Sequence, residues 1–229
     1  IRAACQHYKV DLVGGDTTAS ASGLVLSVTA VGQVAKDQVC RRQGAQPHDI
    51  LCVTGDLGAA YLGLQVLTRE KKVLAADEAM QPDLTTHEYL LQRQLRPEAR
   101  TGIVHELHDQ GLVPTAMIDI TDGLASELFQ LRKASQVGFR VYEDKLPIDA
   151  QTHDTAVSLN LNPTMCAMNG GEDYELLFTV HPQDIKKVEK HPDISLIGYA
   201  TKDLHLQLVT AAGAAIPLQA QGWEQGGSA

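Results

Sequence analysis

Apolar and polar positions change period several times along the chain, and each change marks an element. Leu24, Leu26, Val28, Ala30 and Val34 face one way and Ser27, Thr29 and Gln33 the other, which predicts a half-buried strand over 24–34. Shorter apolar runs predict strands at Val10–Val13, Ile50–Thr54, Ala116–Ile120, Phe139–Glu143, the second half of Asn169–Val180, 194–199 and 204–209. In the last of these, Leu204, Leu206 and Leu208 alternate with His205 and Gln207, as an edge strand would. Leu57, Tyr61, Leu64 and Leu67 define one face of a helix opened by Gly55-Asp56-Leu57-Gly58, with Asp56 the simplest N-cap. Leu124, Leu128 and Leu131 mark the buried stripe of another. Further helical stretches are expected over 2–9, 87–95, 101–110, after Asp149 and over 182–190. Arg96-Pro97 breaks the second of these, Gly111 caps the third, and 71–86 reads as irregular and charged. Helices and strands intermix without an unbroken β-α-β series, which predicts an α+β fold of mixed α/β layers. The polar connection from Lys36 to Asp49 is the best domain boundary, dividing 1–46 from 47–229.

Composition narrows the picture. Apolar residues make up 44% of the 229 but aromatics only 4%, so the core is aliphatic. A net charge of −9 argues against a nucleic-acid or anionic-membrane surface. It leaves room for an anionic substrate if cations stand between, since like unit charges 4 Å apart repel by about 4 kcal/mol at an effective dielectric of 20. Cys5, Cys40, Cys52 and Cys166 form no C-x-x-C and fit no zinc module, so buried free thiols in a reducing compartment, the cytoplasm, are expected. The chain opens with Ile1 in what reads as mid-helix, and is expected to be a piece of a longer protein.

Three turns combine glycine with carboxylates. Gly14-Gly15-Asp16-Thr17-Thr18 follows a short strand. Asp119-Ile120-Thr121-Asp122-Gly123-Leu124 sets two acids three residues apart between a strand and a helix, beside the free N–H groups of a helix start. Asn169-Gly170-Gly171-Glu172-Asp173-Tyr174 precedes an apolar strand. Each could be a local turn or cap. Read together, they suit Mg²⁺ chemistry on a nucleotide better than acyl transfer, because the chain holds no Walker A loop, kinase catalytic set or G-x-S-x-G elbow. Arg41-Arg42 could clamp a phosphate or simply be solvated. His105 and His108 are spaced wrongly for a H-E-x-x-H zinc site. Trp223 is a core plug, a lone surface ring or a stacking platform.

The order Val13-Gly-Gly-Asp-Thr-Thr, Arg42 to Ala45, Arg96-Pro-Glu-Ala-Arg, Asp119-Ile-Thr-Asp-Gly-Leu and Gly170-Gly-Glu-Asp-Tyr-Glu-Leu-Leu-Phe-Thr resembles thiamine-monophosphate kinase, a family of the aminoimidazole ribonucleotide synthetase superfamily. Thr121 stands where that family usually has serine, which keeps the hydroxyl. The resemblance covers nearly the whole chain. It implies a two-domain architecture with the first domain incomplete, and ATP-dependent conversion of thiamine monophosphate to thiamine diphosphate. It also implies that Gly15, Asp16, Arg42 and Thr121 contact ATP, Arg41 being one residue from Arg42. Asp16, Asp119 and Asp122 would hold Mg²⁺, and Glu172 and Trp223 the thiamine phosphate. The full-length protein would be a homodimer formed largely through the first domain, and a chain lacking that domain's further aspartates is expected to be weak or inactive. The rival readings are another ATP-using enzyme of the superfamily and a non-catalytic nucleotide-binding fragment.

Overall fold

Among the described residues seven strands form one mixed sheet in the order β2-β4-β1-β5-β3-β6-β7, with β1 Ile50–Thr54, β2 Ala116–Asp119, β3 Gly138–Tyr142, β4 Leu176–Val180, β5 Ile194–Thr201, β6 Leu206–Val209 and β7 Ala215–Pro217. Every neighbouring pair is antiparallel except β3 and β6. The computed structural model describes residues 1–76 and 84–219; Trp223 lies outside the described residues. The chain falls into two units, Ile1–Val34 and Ala35–Ala229, and the sheet belongs to the second. Residues 41–45 go with the sheet. Met117 donates to the Arg41 carbonyl (2.9 Å), and the amides of Gly44 and Ala45 donate to Ser135 Oγ.

The sheet is apolar on both faces because successive side chains alternate. Leu51, Val53, Ile118, Phe139, Val141 and Leu177 join Leu124, Leu128 and Leu131 of helix α5 (Leu124–Ser135) in one buried cluster. Cys52, Phe178 and Ile194 point the other way, into a cluster with Ile103 and Leu107 of α4 (Thr101–Asp109) and with Val188 of α8 (Ile185–Val188). A third cluster lies among helices: α2 (Ala59–Ala76), α3 (Glu88–Leu95), α6 (Ala150–Ser158) and α7 (Pro163–Asn169), through Leu62, Leu90, Ala156 and Cys166. These packings account for the predicted mixed layers and the aliphatic core.

Several expectations need correction. The smaller unit contains α1 (Arg2–His7), but neither Val10–Val13 nor 24–34 forms a strand. Leu24 is 87% exposed and Val28 76%, and among the described residues no ladder pairs with either segment. Alternation alone does not make a strand; backbone groups need a partner ladder. Helix α2 starts at Ala59, after Gly58, and continues through 71–76, which had read as irregular. Its buried face is Ala59, Leu62, Gly63 and Val66, while Leu64 is 44% exposed. Counting the stripe from Leu57, which precedes the helix, put the phase wrong. The strand at Leu206–Val209 is not an edge: β7, unforeseen, pairs with it. Of the four free cysteines only Cys52 and Cys166 are buried; Cys5 and Cys40 are half-buried. Among the described residues no helix is long and apolar enough to cross a membrane.

Leu128→Ala should therefore destabilise the larger unit by about 2–5 kcal/mol through a core cavity. Leu64→Ala should stay within about 1 kcal/mol of wild type. Urea unfolding of the two variants checks the corrected phase of α2 against the fully buried stripe of α5.

Candidate functional site

Two of the three carboxylate turns meet at the end of β2. The β2–β4 ladder runs to Asp119 opposite Leu176 and continues beyond it as irregular pairing. Ile120 donates to the Glu175 carbonyl (2.8 Å), Tyr174 donates to the Ile120 carbonyl (2.9 Å), and Glu172 donates to the Thr121 carbonyl (2.7 Å). Gly171 permits this approach. It has φ +70°, and a Cβ there would stand 2.7 Å from the Thr121 oxygen. Gly123, with φ +116°, lies against the Asn169 backbone and starts α5. Asp119, Thr121, Asp122 and Glu172 are thus carried on two interlocked loops, and Asp119, Asp122 and Glu172 are exposed.

Among the described residues no side chain caps α5, so neither Thr121 nor Asp122 has the capping role their position suggested. Thr121 Oγ1 instead donates to Asp119 Oδ2 (3.1 Å), which orients that carboxylate. The Asp122 amide donates to Glu127 Oε1 (3.2 Å) from the first turn of α5. Glu127 is only 4% exposed, and among the described residues its Oε2 has no partner. Burial pushes its carboxyl up to about 7, and the charge of Asp122 pushes the same way.

Beneath the loops lies a layer of buried charge. Glu175 is fully buried. It accepts from Thr54 Oγ1 (2.6 Å) and Arg100 Nε (2.7 Å), and pairs with Arg93 Nη2 (2.8 Å). Arg93 also donates to the carbonyls of Asp56 and Asp173, tying α3 to the turn after β1 and to the Gly171–Tyr174 loop. Asp56, expected as an N-cap, instead accepts from the Tyr89 hydroxyl, and it is Asp173 that takes the Gly58 amide at the start of α2 (3.1 Å to each oxygen). The Asp56 side chain is held in the α3 contact, so Asp173, 115 positions beyond Gly58, does the capping. Burial pushes the Asp173 carboxyl up to about 7.

Of the other predicted site residues, Gly15 and Asp16 lie in the smaller unit, where Asp16 Oδ1 accepts from the Thr17 amide (2.8 Å) in a local turn. Arg42 is exposed, and its carbonyl accepts from Ser135 Oγ (3.2 Å) at the last residue of α5. The acid turn is at the other end of that helix, about 18 Å away at 1.5 Å per residue. Among the described residues no three His, Cys, Asp or Glu side chains converge on a point that could hold a metal ion. Asp119 and Asp122 with the Thr121 hydroxyl still fit Mg²⁺, which keeps several waters and commonly takes one or two carboxylates plus substrate phosphate oxygens. Glu127, Asp173, Tyr174, Glu175, Arg93 and Arg100 had been assigned no role. The available signal was the run of three acids in Glu172-Asp173-Tyr174-Glu175, too many for one exposed turn.

The mixed sheet with its two interlocked acid loops is the fold shared with a known family. The chain belongs to the AIR synthase related proteins: the C-terminal domain of that family matches residues 46–210. It is 35% identical to thiamine-monophosphate kinase of Bacillus subtilis over 197 residues, 84% of this chain and 57% of the relative. Against the Salmonella typhimurium enzyme of the same name it is 38% identical over 177 residues, 76% of this chain and 49% of that one. A solved structure described as AaThiL complexed with AMPPCP and TMP superposes with a TM-score of 0.65 at 30% identity, covering 80% of this chain and 53% of that one. The chain spans about half the length of the curated relatives it matches.

The raised Asp173 carboxyl has a measurable consequence. From its ordinary 3.8 up to about 7, the folded chain keeps a proton that the unfolded chain has released. Stability should therefore fall as pH rises through that window, by up to about 1.4 kcal/mol per pH unit per proton, and level off above it. Glu127 adds a second fall in the upper part of the same window. Asp173→Asn should reduce the slope of urea midpoint against pH to the Glu127 part. An unchanged slope would show that Asp173 ionises normally.

Proposed function

We propose that the protein carrying this chain is a thiamine-monophosphate kinase, which uses ATP and Mg²⁺ to convert thiamine monophosphate into thiamine diphosphate. The observation that carries the reading is the interlock of the Asp119–Gly123 and Gly171–Tyr174 loops, which brings two exposed aspartates and an exposed glutamate to one end of the sheet. The names of the relatives and the nucleotide and TMP in the AaThiL complex support it.

In this reading Asp119, Asp122 and Asp16 are the Mg²⁺ ligands, while Gly15, Asp16, Arg42 and Thr121 contact ATP. Glu172 and Trp223 take the thiamine phosphate. Mg²⁺, when bound, neutralises and aligns the phosphate oxygens. Thr121 keeps Asp119 oriented through their hydrogen bond, and Glu127 fixes the backbone of Asp122. The acceptor is a phosphate monoester with a second pKa of about 6, so it is already an anion at neutral pH and no strong general base is required. Direct in-line transfer of the γ-phosphate follows, with no phosphoenzyme. Residues 1–46 are then the end of an N-terminal ATP-binding and dimerisation domain and 47–229 the C-terminal α/β domain, in a cytoplasmic homodimer.

Thiamine diphosphate formation from ATP, Mg²⁺ and thiamine monophosphate tests the reading. Asp119→Asn and Asp122→Asn should each lower kcat at least about 100-fold with the fold retained, since each removes a charge acting in the transition state. Chelation by EDTA should abolish turnover and Mg²⁺ restore it. Undiminished product from either variant would overturn the assignment. A labelled phosphate trapped on the protein after incubation with ATP would overturn direct transfer.

A further inference from the structure

Glu172 and Tyr174 are both non-glycine residues in left-handed backbone, with φ +61° and +51°. Neither a glutamate nor an aromatic residue prefers that region; the surrounding structure has to impose it. Here it is imposed by the amides of both residues, which donate to the carbonyls of Thr121 and Ile120. The outcome is an alternation: Glu172 exposed, Asp173 buried, Tyr174 half-buried, Glu175 buried. It also returns the Tyr174 phenol onto its own turn, where the hydroxyl donates to Glu172 Oε2 at 2.8 Å. That bond is the first cause of a raised Tyr174 phenol, and the charges of Glu172, Asp119 and Asp122 add to it. Tyr174 therefore stands within the field of all three exposed acids.

We propose that Tyr174 is a positioning and specificity-determining residue that locks Glu172 for the ring portion of the substrate. The inference rests on the reading that Glu172 meets thiamine monophosphate. Without a tether, a glutamate on an exposed turn samples many rotamers and can swing toward any cation held by Asp119 and Asp122. The phenol satisfies Oε2 and ties the carboxylate to its own loop, and among the described residues Oε1 accepts no hydrogen bond. One oriented carboxylate oxygen suits a single donor or a delocalised cation. The amino-pyrimidine and thiazolium rings of thiamine offer both, whereas its phosphate would be repelled. Tyr174 thus separates ring recognition from metal and phosphate binding among three neighbouring acids.

Calorimetric titration of thiamine monophosphate, and separately of thiamine, into the Mg²⁺- and AMPPCP-loaded protein tests this with Tyr174→Phe, Glu172→Gln and the double variant. Tyr174→Phe keeps the ring and deletes only the hydroxyl. It should weaken both ligands by the same factor, about tenfold, the size expected for one hydrogen bond to a charged group. AMPPCP affinity and thermal midpoint should be unchanged. Glu172→Gln should weaken both ligands at least as much, and the double variant should match Glu172→Gln alone. If Glu172→Gln weakens binding while Tyr174→Phe binds like wild type, or if the two losses multiply, the positioning role is overturned and the Glu172 reading stands. If wild type binds no thiamine monophosphate, or Glu172→Gln leaves binding intact, the Glu172 reading falls and this inference with it.

Discussion

A single buried carboxylate, Glu175, holds the candidate site in place. A charge with no exposure to water is tolerable only if it is met by opposite charge and hydrogen bonds. Glu175 is met by Arg93, Arg100 and Thr54, which come from α3, from the residue ahead of α4 and from β1. The same Thr54 hydroxyl accepts from the Leu176 amide, so the first residue of β4 is fixed by the network that neutralises its neighbour. Three separate segments are thereby fastened to the point where β4 turns into the acid loop. Replacing such a pair with apolar residues could be neutral for stability, whereas removing one member would strand the others. Its value lies in where it puts Glu172 and Tyr174, immediately before it in the chain.

That fastening explains how a short loop presents alternate residues to opposite sides without being a strand. Glu175 and Asp173 are drawn inward by Arg93 and by the Gly58 amide. Residues 172 and 174 are left facing outward, and the backbone accommodates this through Gly171 and two left-handed non-glycine residues. The opposite loop is shaped more simply. Asp119 ends β2, Gly123 starts α5, and Thr121 and Glu127 orient what lies between. Rigid elements hold both loops from below, which is the arrangement a site needs if its side chains are to keep their geometry as phosphate charge arrives.

Much of the sheet was legible in the residues because burial on both faces leaves short aliphatic runs. Ile50–Thr54, Ala116–Ile120 and the second half of Asn169–Val180 read as strands, and α5 read as a helix from Leu124, Leu128 and Leu131. Three of the failures have one cause in common: they depended on partners that local pattern does not contain. The 24–34 segment alternates but finds no ladder among the described residues of its unit. Leu204–Leu208 looked like an edge until Ala215–Pro217 paired beside it. Asp56 had the place and chemistry of an N-cap, yet Asp173, from far along the chain, took that role. For the site, the acids of the two loops were recognisable from their spacing to glycine. Their support was not, because Arg93, Arg100 and Glu175 are ordinary surface-type residues until folding brings them together.

The electrostatics of the two layers differ, and the difference gives the site its direction. Below, two guanidinium groups lie against Glu175, and Asp173 and Glu127 are pushed toward the neutral form by burial. Above, Asp119, Asp122 and Glu172 remain exposed, and no described lysine or arginine is paired with them. Excess negative charge is therefore concentrated on the outer surface of the loops. Such a surface repels a bare phosphate and attracts cations, so an anionic substrate can approach only in company with a metal ion or by leading with a positively charged group. The loops offer one carboxylate held by a phenol, Glu172, beside two exposed aspartates, of which Asp119 is oriented by the Thr121 hydroxyl.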